Sequence, residues 1–258
     1  MHRVILTRIA LSFLALQHLR ILSSFQYFLC GFCDRLFLKM NSFTEENYLK
    51  ALFNLGGETG EVNVNDLSKA LGIKMPTVTS MMKKLADKKL VFYESYKPLR
   101  LTDKGKKEAG LIIRKHRLTE MFLVHQMNFG WEEVHDIAEQ IEHIQSPVFF
   151  EKMDELLGYP KIDPHGSPIP DKNGKMFSKE NRKLSDCKAG DIVKLSAVIN
   201  TSTDFLKFLN GRDIILGLRI KVKSMEPFDG SMTISYDKHA QEVLSRIVCE
   251  RLLVEKER

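Results

Sequence analysis

The sequence predicts a mainly α-helical chain with a small β content, divided into a winged helix-turn-helix, a helical segment and a C-terminal β segment. Three observations predict this fold class. A tight helix-turn-helix pattern runs into a stretch of period two, two later helices carry regularly spaced histidine and glutamate, and the tail contains short β-type runs. With 258 residues, 43% hydrophobic and 28% charged, the chain can bury more than one core. This composition excludes wholesale disorder, collagen and coiled-coil filaments.

The charge is divided unevenly along the chain. In total, 39 lysines and arginines stand against 33 aspartates and glutamates, a net charge of +6. Residues 41–117 hold 15 basic and 9 acidic side chains, whereas residues 118–180 hold 5 basic and 12 acidic ones. A basic block followed by an acidic one indicates a polyanion-binding module joined to a module that collects cations. The four cysteines are too scattered for a disulfide framework, so we expect the reducing cytoplasm.

Residues 1–40 are apolar and unlike their neighbours. Their charge-free runs are 11 and 13 residues long, shorter than the roughly 20 apolar residues that span a bilayer, so no transmembrane helix is predicted. Arg20 interrupts the apolar core that a signal peptide would need. Cys30 and Cys33 form a C-x-x-C pair without a second pair to complete a metal site. We therefore expect residues 1–40 to be an apolar extension upstream of a start at Met40.

The first three helices have clear boundary signals. Thr44 is the expected N-cap of the first helix, which acidic residues open and Gly56 ends. A short second helix ends at Gly72. Its expected inward-facing residues are Leu67, Ala70 and Leu71. Pro76 then occupies a first helical position of the third helix. The order is helix, turn, helix.

The third helix has the character of a recognition helix. Val78, Met81, Met82 and Leu85 fall on one stripe, which leaves short hydroxyls and lysines on the opposite face. Hydroxyls reach base edges and lysines neutralise phosphates. A single lysine-bearing helix is more often a solvated surface, but the ordered set of elements on a basic segment favours DNA binding. The candidate DNA-binding residues are Lys74, Pro76, Thr77, Ser80, Lys83, Lys84 and Lys97.

A hairpin is expected directly after this helix. The run LVFYESYKPLRLT has period two on both sides of a turn at Lys97 and Pro98, which predicts a wing. Thr102 then caps a further helix with a basic surface at Lys104, Lys106 and Lys107.

Histidine and glutamate recur at helical spacing in the acidic block. His116 and Glu120 lie four residues apart, and the helix predicted over WEEVHDIAEQIEHIQ carries His135, Glu139, Glu142 and His143 on one face. Such a stripe can be solvated surface, but two helices carry one here. Nitrogen and oxygen ligands without sulfur suit Mn²⁺, Fe²⁺, Co²⁺ or Zn²⁺, and the carboxylates favour the harder ions. The sequence holds neither an H-E-x-x-H motif nor a nucleophile with a neighbouring base, so we expect no enzyme; a metallohydrolase is the alternative.

The motifs TEENYLKAL, KMPTVTSMMKKL, LTDKGK, RKHRLTE, VHDIAEQIEH and DPHGSPIP together resemble the diphtheria-toxin-repressor family of metal-dependent transcriptional regulators. This family includes iron-dependent regulators and manganese transport regulators. The resemblance implies a cytoplasmic homodimer that binds a double-stranded DNA operator and represses metal-uptake genes, without a membrane partner. A winged-helix regulator that senses an organic ligand is the alternative.

The resemblance also implies two metal sites. One would use Glu139, Glu142 and His143 with Asn47 of the first helix, and the other His116, Glu120 and His135. Glu139 stands where iron-dependent members have cysteine, which favours Mn²⁺ over Fe²⁺, with Zn²⁺ or Co²⁺ as substitutes. Two positions depart from the manganese regulators: Asn47 replaces an aspartate and Lys50 a glutamate. An asparagine carbonyl can bind a metal but a charged lysine cannot, so a binuclear manganese site does not follow.

The tail resembles the SH3-like β-barrel domain of the longer, iron-type regulators. Its β runs DIVKLSAVI, LRIKVKSME and SMTISY flank a short helix at FLKFL, near which Asp204 is a further candidate ligand. The expected segments are a winged helix-turn-helix DNA-binding domain at 41–110, a helical dimerisation and metal-binding domain at 111–158, a flexible linker at 159–183 and an SH3-like domain at 184–258.

Overall fold

The computed structural model describes residues 41–57, 59–177, 181–199 and 201–256. The expected extension at 1–40, with its C-x-x-C pair, lies outside the described residues. Residues 45–258 form one compact unit. None of the helices within the described ranges has the length and apolar character needed to cross a bilayer.

A winged helix occupies the first part of the described chain. Its strands pair antiparallel in the order β1-β3-β2, which confirms the expected wing and adds a strand before the second helix. One core of leucine, valine and methionine side chains joins all these elements. The elements are α1 (Phe43–Gly56), β1 (Glu61–Val62), α2 (Val64–Leu71), α3 (Met75–Asp87), β2 (Val91–Phe92) and β3 (Leu99–Leu101).

The boundaries of these elements differ in detail from expectation. Helix α1 begins at Phe43, so Thr44 lies within the helix instead of capping it. Leu67 is buried as predicted, but Ala70 is exposed, because α2 is only two turns long and turns that residue away from the core. Gly72 adopts the left-handed conformation (φ 66°) that ends α2. The buried stripe of α3 is confirmed by Val78, Met82 and Leu85, which are all 0% exposed.

Three helices follow the wing: α4 (Asp103–Met127), α5 (His135–Ile141) and α6 (Pro147–Leu156). The Thr102 side chain accepts a hydrogen bond from the Gly105 N–H and caps α4, as predicted. Helix α5 ends at Ile141 and is therefore shorter than the helix predicted over WEEVHDIAEQIEHIQ. Glu142 keeps helical backbone angles (φ −56°, ψ −23°), and it and His143 lie in the turn that follows. The sequence analysis did not identify α6.

Residues 159–177, which we call the strap, are packed along α4. The sequence predicted a flexible linker here, and in the structure these residues make specific contacts with α4. The Arg114 side chain donates to the Pro170 carbonyl (2.5 Å) and the Arg117 side chain donates to that of Pro168. A Cβ on Gly110 of α4 would lie 2.0 Å from the Gly174 oxygen, so the strap crosses α4 where only glycine fits. The prolines and tight turns of this segment had suggested a mobile linker, but they restrict its backbone.

The C-terminal part forms the SH3-like domain expected from the resemblance. Its six strands are all antiparallel, in the order β4-β9-β5-β6-β7-β8, around an apolar core. The Trp131 ring, between α4 and α5, packs on that core, and its Nε1–H donates to Asn210 Oδ1 (2.7 Å). The elements are β4 (Arg182–Lys183), β5 (Ile192–Val198), α7 (Thr203–Asn210), β6 (Arg219–Met225), β7 (Met232–Tyr236), β8 (His239–Leu244), α8 (Arg246–Arg251) and β9 (Leu252–Lys256).

Candidate metal centre

Acidic and imidazole side chains from four parts of the fold converge beside the winged helix. They come from α1, α4, α5 with its following turn, and the strap. Their ligand atoms fall into three overlapping groups, each with atoms within 4.8 Å of one another. The groups are His116, Glu120 and His135; His116, Glu139 and Glu142; and Glu120, Asp163 and His165.

The first group is one that the sequence predicted. His116 and Glu120 lie one turn apart on α4, with His116 Nε2 3.0 Å from Glu120 Oε1. His135, at the start of α5, places Nδ1 3.6 Å from the same oxygen. Glu120 is 3% and His116 8% exposed, whereas His135 lies at the exposed edge of this group. The spacing of four on α4 brings these groups together because residues one turn apart share a face.

The strap adds two residues that the sequence analysis missed. His165 Nδ1 lies 3.6 Å from Glu120 Oε2, and His165 Nε2 lies 2.8 Å from the Trp131 carbonyl oxygen. Because a carbonyl only accepts, Nε2 carries the proton and Nδ1 faces Glu120. Asp163 is 5% exposed and accepts the backbone N–H groups of His165 and Ser167. The aspartate and histidine of DPHG were a signal, but they stood in a segment assigned to a linker.

The second group surrounds Glu142. This carboxylate is 0% exposed, and its Oε2 lies 2.6 Å from His116 Nδ1. Glu139 belongs here: its Oε1 is 3.9 Å from His116 Nδ1 and 3.7 Å from His135 Nε2. The sequence analysis had placed Glu139 with His143. The Lys50 ammonium of α1 donates to Glu139 Oε1 (2.5 Å) and Glu142 Oε1 (2.7 Å).

His143 faces α1 through a residue that the sequence analysis had not chosen. Its Nδ1 lies 2.6 Å from Glu46 Oε2, and its Nε2 lies 3.6 Å from Glu142 Oε1. Glu46 is 5% exposed and was interpreted only as a first-turn acid of α1. The predicted ligand Asn47 has a buried Oδ1 that accepts no hydrogen bond within the part of the chain that the structure describes. A buried oxygen of this kind is suited to a cation.

The donor set fits a divalent first-row ion. Five carboxylates (Glu46, Glu120, Glu139, Glu142 and Asp163) and four imidazoles lie in the cluster, and carboxylate and imidazole suit Mn²⁺, Fe²⁺, Co²⁺ and Zn²⁺. Desolvated carboxylates in this number require positive charge. Asp204 is exposed on α7 and lies outside the three groups found among the described residues, so the strap, and not Asp204, joins the cluster.

Contacts within the cluster shift the pKa values of its own side chains. Burial opposes protonation of His116, but hydrogen bonds with Glu120 and Glu142 prevail and raise its pKa to about 9. Burial likewise disfavours ionised Glu120, yet the three imidazoles around it lower its pKa well below the usual range. For Glu142, His116 and Lys50 overcome the effect of burial and lower the pKa. The isolated protein therefore holds an imidazolium where a metal would need a neutral imidazole.

The predicted DNA-binding residues are all exposed on the winged helix. Lys74 precedes α3 and Lys97 lies in the wing, where it pairs with Glu94 (2.8 Å). Lys84 lies 3.3 Å from the buried Glu45 of α1, and Lys88, after α3, lies 2.8 Å from the same carboxylate. The exposed set is Lys74, Pro76, Thr77, Ser80, Lys83, Lys84 and Lys97.

Three family models match the sequence in the order of the observed parts. Residues 40–99 match the N-terminal DNA-binding domain of iron-dependent repressors, and residues 102–171 match their metal-binding and dimerisation domain. Residues 182–256 match the FeoA domain. The second match spans α4, α5, α6 and most of the strap, which places the strap with the metal-binding domain.

Individual relatives agree. The iron-dependent repressor IdeR of Mycobacterium tuberculosis is 26% identical over 225 residues, covering 83% of this chain and 97% of IdeR. The regulator MntR of Bacillus subtilis is 32% identical over 114 residues, covering 44% of this chain and 80% of MntR. A solved manganese-dependent transcriptional repressor in complex with manganese has a TM-score of 0.76 at 29% identity and covers 83% of this chain and all of its own. ScaR with bound Zn²⁺ has a TM-score of 0.70 at 33% identity and covers 83% and 99%.

A winged helix joined by one long helix to a buried cluster of nitrogen and oxygen ligands defines a metal-dependent DNA-binding regulator. The chain belongs to the DtxR/IdeR family of metal-dependent transcriptional repressors, which bind an operator and dimerise. This membership confirms the expectations of divalent metal binding and of a non-enzymatic cytoplasmic regulator, and it overrides the alternatives of a metallohydrolase and an organic-ligand sensor.

The pKa of His116 gives a test in the metal-free protein. We expect the His116 ring to titrate near pH 9 by NMR, with assignment from His116→Gln. Because the folded-state pKa is raised, its contribution to the free energy of unfolding is fully present below about pH 6.5 and is lost as the pH rises through about 9. Glu142→Gln should lower the pKa by removing a negative charge that stabilises the protonated ring. A ring that titrates below pH 7 in the wild type would contradict the arrangement.

Proposed function

We propose that this chain is a homodimeric repressor of metal-uptake genes that responds to Mn²⁺, with Fe²⁺ as the second candidate. The observation that carries the proposal is the cluster of nitrogen and oxygen ligands that connects α1 of the winged helix to α4, α5 and the strap. Glu139 in place of a thiolate favours the harder ion Mn²⁺. The names of the relatives, which include iron-dependent and manganese-dependent repressors, support this pair of ions. Zn²⁺ and Co²⁺ are expected to substitute in vitro.

We assign the ligands to two positions in the cluster. Glu142 and His143, with Glu46 and Asn47 of α1, would hold one ion. His116, Glu120 and His135, with Asp163 and His165 of the strap, would hold the other. Glu139 lies between the two and binds Lys50, so its part in either position depends on that lysine. The first position connects the DNA-binding part to the metal-binding part, and the second connects α4 to the strap.

A bound ion supplies the positive charge that these carboxylates need and cross-links the elements that carry them. The protein supplies the arrangement of these elements in which the ligands face one another. Glu46 faces His143 (2.6 Å) only when α1 lies against the turn after α5, so ligands on both sides favour that arrangement. Stabilisation is limited to the difference in metal affinity between this arrangement and others.

Helix α1 also connects the cluster to the recognition helix. Glu45 is adjacent to Glu46 and is 1% exposed; it forms an ion pair with Lys84 (3.3 Å) and accepts a hydrogen bond from Lys88 (2.8 Å). Two consecutive residues of α1 therefore face two different partners. Ordering Glu46 at the metal position also orders Glu45 and, through it, the C-terminal end of α3.

The second protomer is expected to pack on α6. Val148 and Leu156 on this helix are 65% and 66% exposed, which is unusual for large apolar side chains of a packed helical domain. A two-fold dimer through this surface would present two recognition helices to successive major grooves, about 34 Å apart on B-DNA.

The ligand assignment predicts a metal-dependent DNA affinity. Glu142→Gln should reduce the gain in operator affinity on adding Mn²⁺ or anaerobic Fe²⁺ by more than about 10-fold, because even outer partners of a metal are worth this much. Asp136→Asn, exposed on the preceding helix α5, is the matched control and should retain the gain. Fluorescence anisotropy with a labelled operator, with and without chelator, measures both. An affinity unchanged by chelator in the wild type would refute the proposal.

The face of α3 predicts two different phenotypes. Lys83→Ala should weaken binding to all sequences and lower the slope of log affinity against log salt by about 1, as expected for one phosphate contact. Ser80→Ala should change the sequence preference and leave the slope unchanged. Binding assays at several salt concentrations on operator and scrambled DNA separate the two. If both variants have the same effect, the assigned face is wrong.

The contacts of Glu45 with Lys84 and Lys88 predict a variant that binds metal normally but couples metal binding only weakly to operator affinity. Glu45→Gln should leave the number of bound ions unchanged and reduce the metal-induced gain in operator affinity by roughly 2- to 30-fold, the range of about 0.5–2 kcal/mol for coupling residues. Glu61→Gln removes an exposed pair with Arg100 on the neighbouring strand and should have no such effect. Metal stoichiometry and anisotropy are measured on the same samples. A full metal response in Glu45→Gln would assign the coupling elsewhere.

A further inference from the structure

A lysine occupies the centre of the cluster where carboxylates and an imidazole could hold a metal. The Lys50 ammonium lies 2.5 Å from Glu139 Oε1 and 2.7 Å from Glu142 Oε1, and the Lys50 side chain is 13% exposed. An ammonium offers only donors and cannot bind a metal while charged. The two oxygens that it occupies are therefore withdrawn from metal binding.

The same two carboxylates form a metal-type group with His116. One ligand atom from each of His116, Glu139 and Glu142 lies within 4.8 Å of the others, as close as in the two neighbouring groups. Three side-chain ligands suffice for a divalent ion whose remaining positions hold water. The fold thus contains three adjoining cation positions, and Lys50 lies in the middle one.

Helix α1 is built to hold the lysine there. Glu46 and Lys50 are four residues apart and share one face of α1, so the helix presents an anion to His143 and a cation to Glu139 and Glu142. The Glu142 carboxylate is 0% exposed, and a bare carboxylate there would be strongly unfavourable. Lys50 provides this compensation within the chain.

We propose that Lys50 is a stoichiometry- and specificity-determining residue: its ammonium replaces a divalent ion at the His116, Glu139 and Glu142 position, so the chain binds one ion fewer than its ligands allow. This inference rests on the metal positions proposed above. Both flanking positions keep ligands that Lys50 does not contact, namely Glu46, Asn47 and His143 on one side and Glu120 with His135 and the strap on the other. They share Glu142 and His116 with the middle position, and Lys50 leaves Glu142 Oε2 and His116 Nε2 uncontacted.

The test is the number of ions bound per chain by the full-length protein. Native mass spectrometry, and equilibrium dialysis followed by elemental analysis, are carried out with Mn²⁺ and Co²⁺. Lys50→Met removes the competing cation, and Lys50→Glu also adds a ligand; each should bind one ion more than the wild type. Lys50→Arg keeps a positive charge and should bind the wild-type number. Lys115→Met is the matched control, because that ammonium lies near the same carboxylates but donates to the Ile144 carbonyl (3.2 Å), and it should also leave the number unchanged.

A second readout does not depend on counting. In chelator, Lys50→Met leaves Glu139 and Glu142 without their ammonium and should lower the melting temperature below that of Lys50→Arg; added Mn²⁺ should restore it. If Lys50→Met does not fold without metal, refolding in Mn²⁺ and the Lys50→Glu variant supply the count. Equal numbers of ions in the wild type, Lys50→Met and Lys50→Glu would overturn the inference. A wild type that binds no ion would instead overturn the proposed metal positions.

Discussion

The buried carboxylate of Glu142 is the point on which the arrangement of the first two domains depends. It meets Lys50 from α1 and His116 from α4 at hydrogen-bond distance, and His143 from its own turn lies 3.6 Å away. Withdrawing a carboxylate from water costs several kcal/mol unless positive charge replaces the solvent. Cations therefore determine whether α1 can stay against α4 and α5. The winged helix is carried by α1, so its position follows the charge at this one side chain.

The cluster lies on a rigid support. Helix α4 runs for 25 residues from the wing to the metal ligands, and the strap crosses it at a contact between Gly110 and Gly174. His165 is fixed from the other side, since it donates to the Trp131 carbonyl and its ring stacks on the indole at 5.8 Å between centroids. Ligands held in this way lose little freedom when a cation binds. The charge that the cation supplies therefore acts on the packing of α1 against the cluster.

The sequence predicted what local periodicity encodes. The stripe of α3, the wing, the cap at Thr102 and the pair of His116 and Glu120 all follow from spacings within a few residues, and all are present in the structure. The errors that affect the site concern contacts between distant segments. Glu46 has the signature of a helix-opening acid, and only the packing of α1 on the turn after α5 reveals its partner 97 residues away. Asp163 stands among prolines and glycines, whose density is equally compatible with a tether and with a rigid strap.

The pairing of Glu45 with the recognition helix explains how a buried charge can influence DNA binding at a small cost in free energy. Successive residues of a helix point about 100° apart, so Glu45 and Glu46 face different neighbours while sharing one backbone. Lys84 is 58% exposed although its partner Glu45 is 1% exposed, and such a half-exposed pair is worth about 1 kcal/mol or less. In the proposed complex, the lysine would exchange Glu45 for a DNA phosphate without unfolding anything, provided that α1 holds Glu45 in place. Helix α1 then transmits order, and the strength of the DNA contact comes from the phosphate.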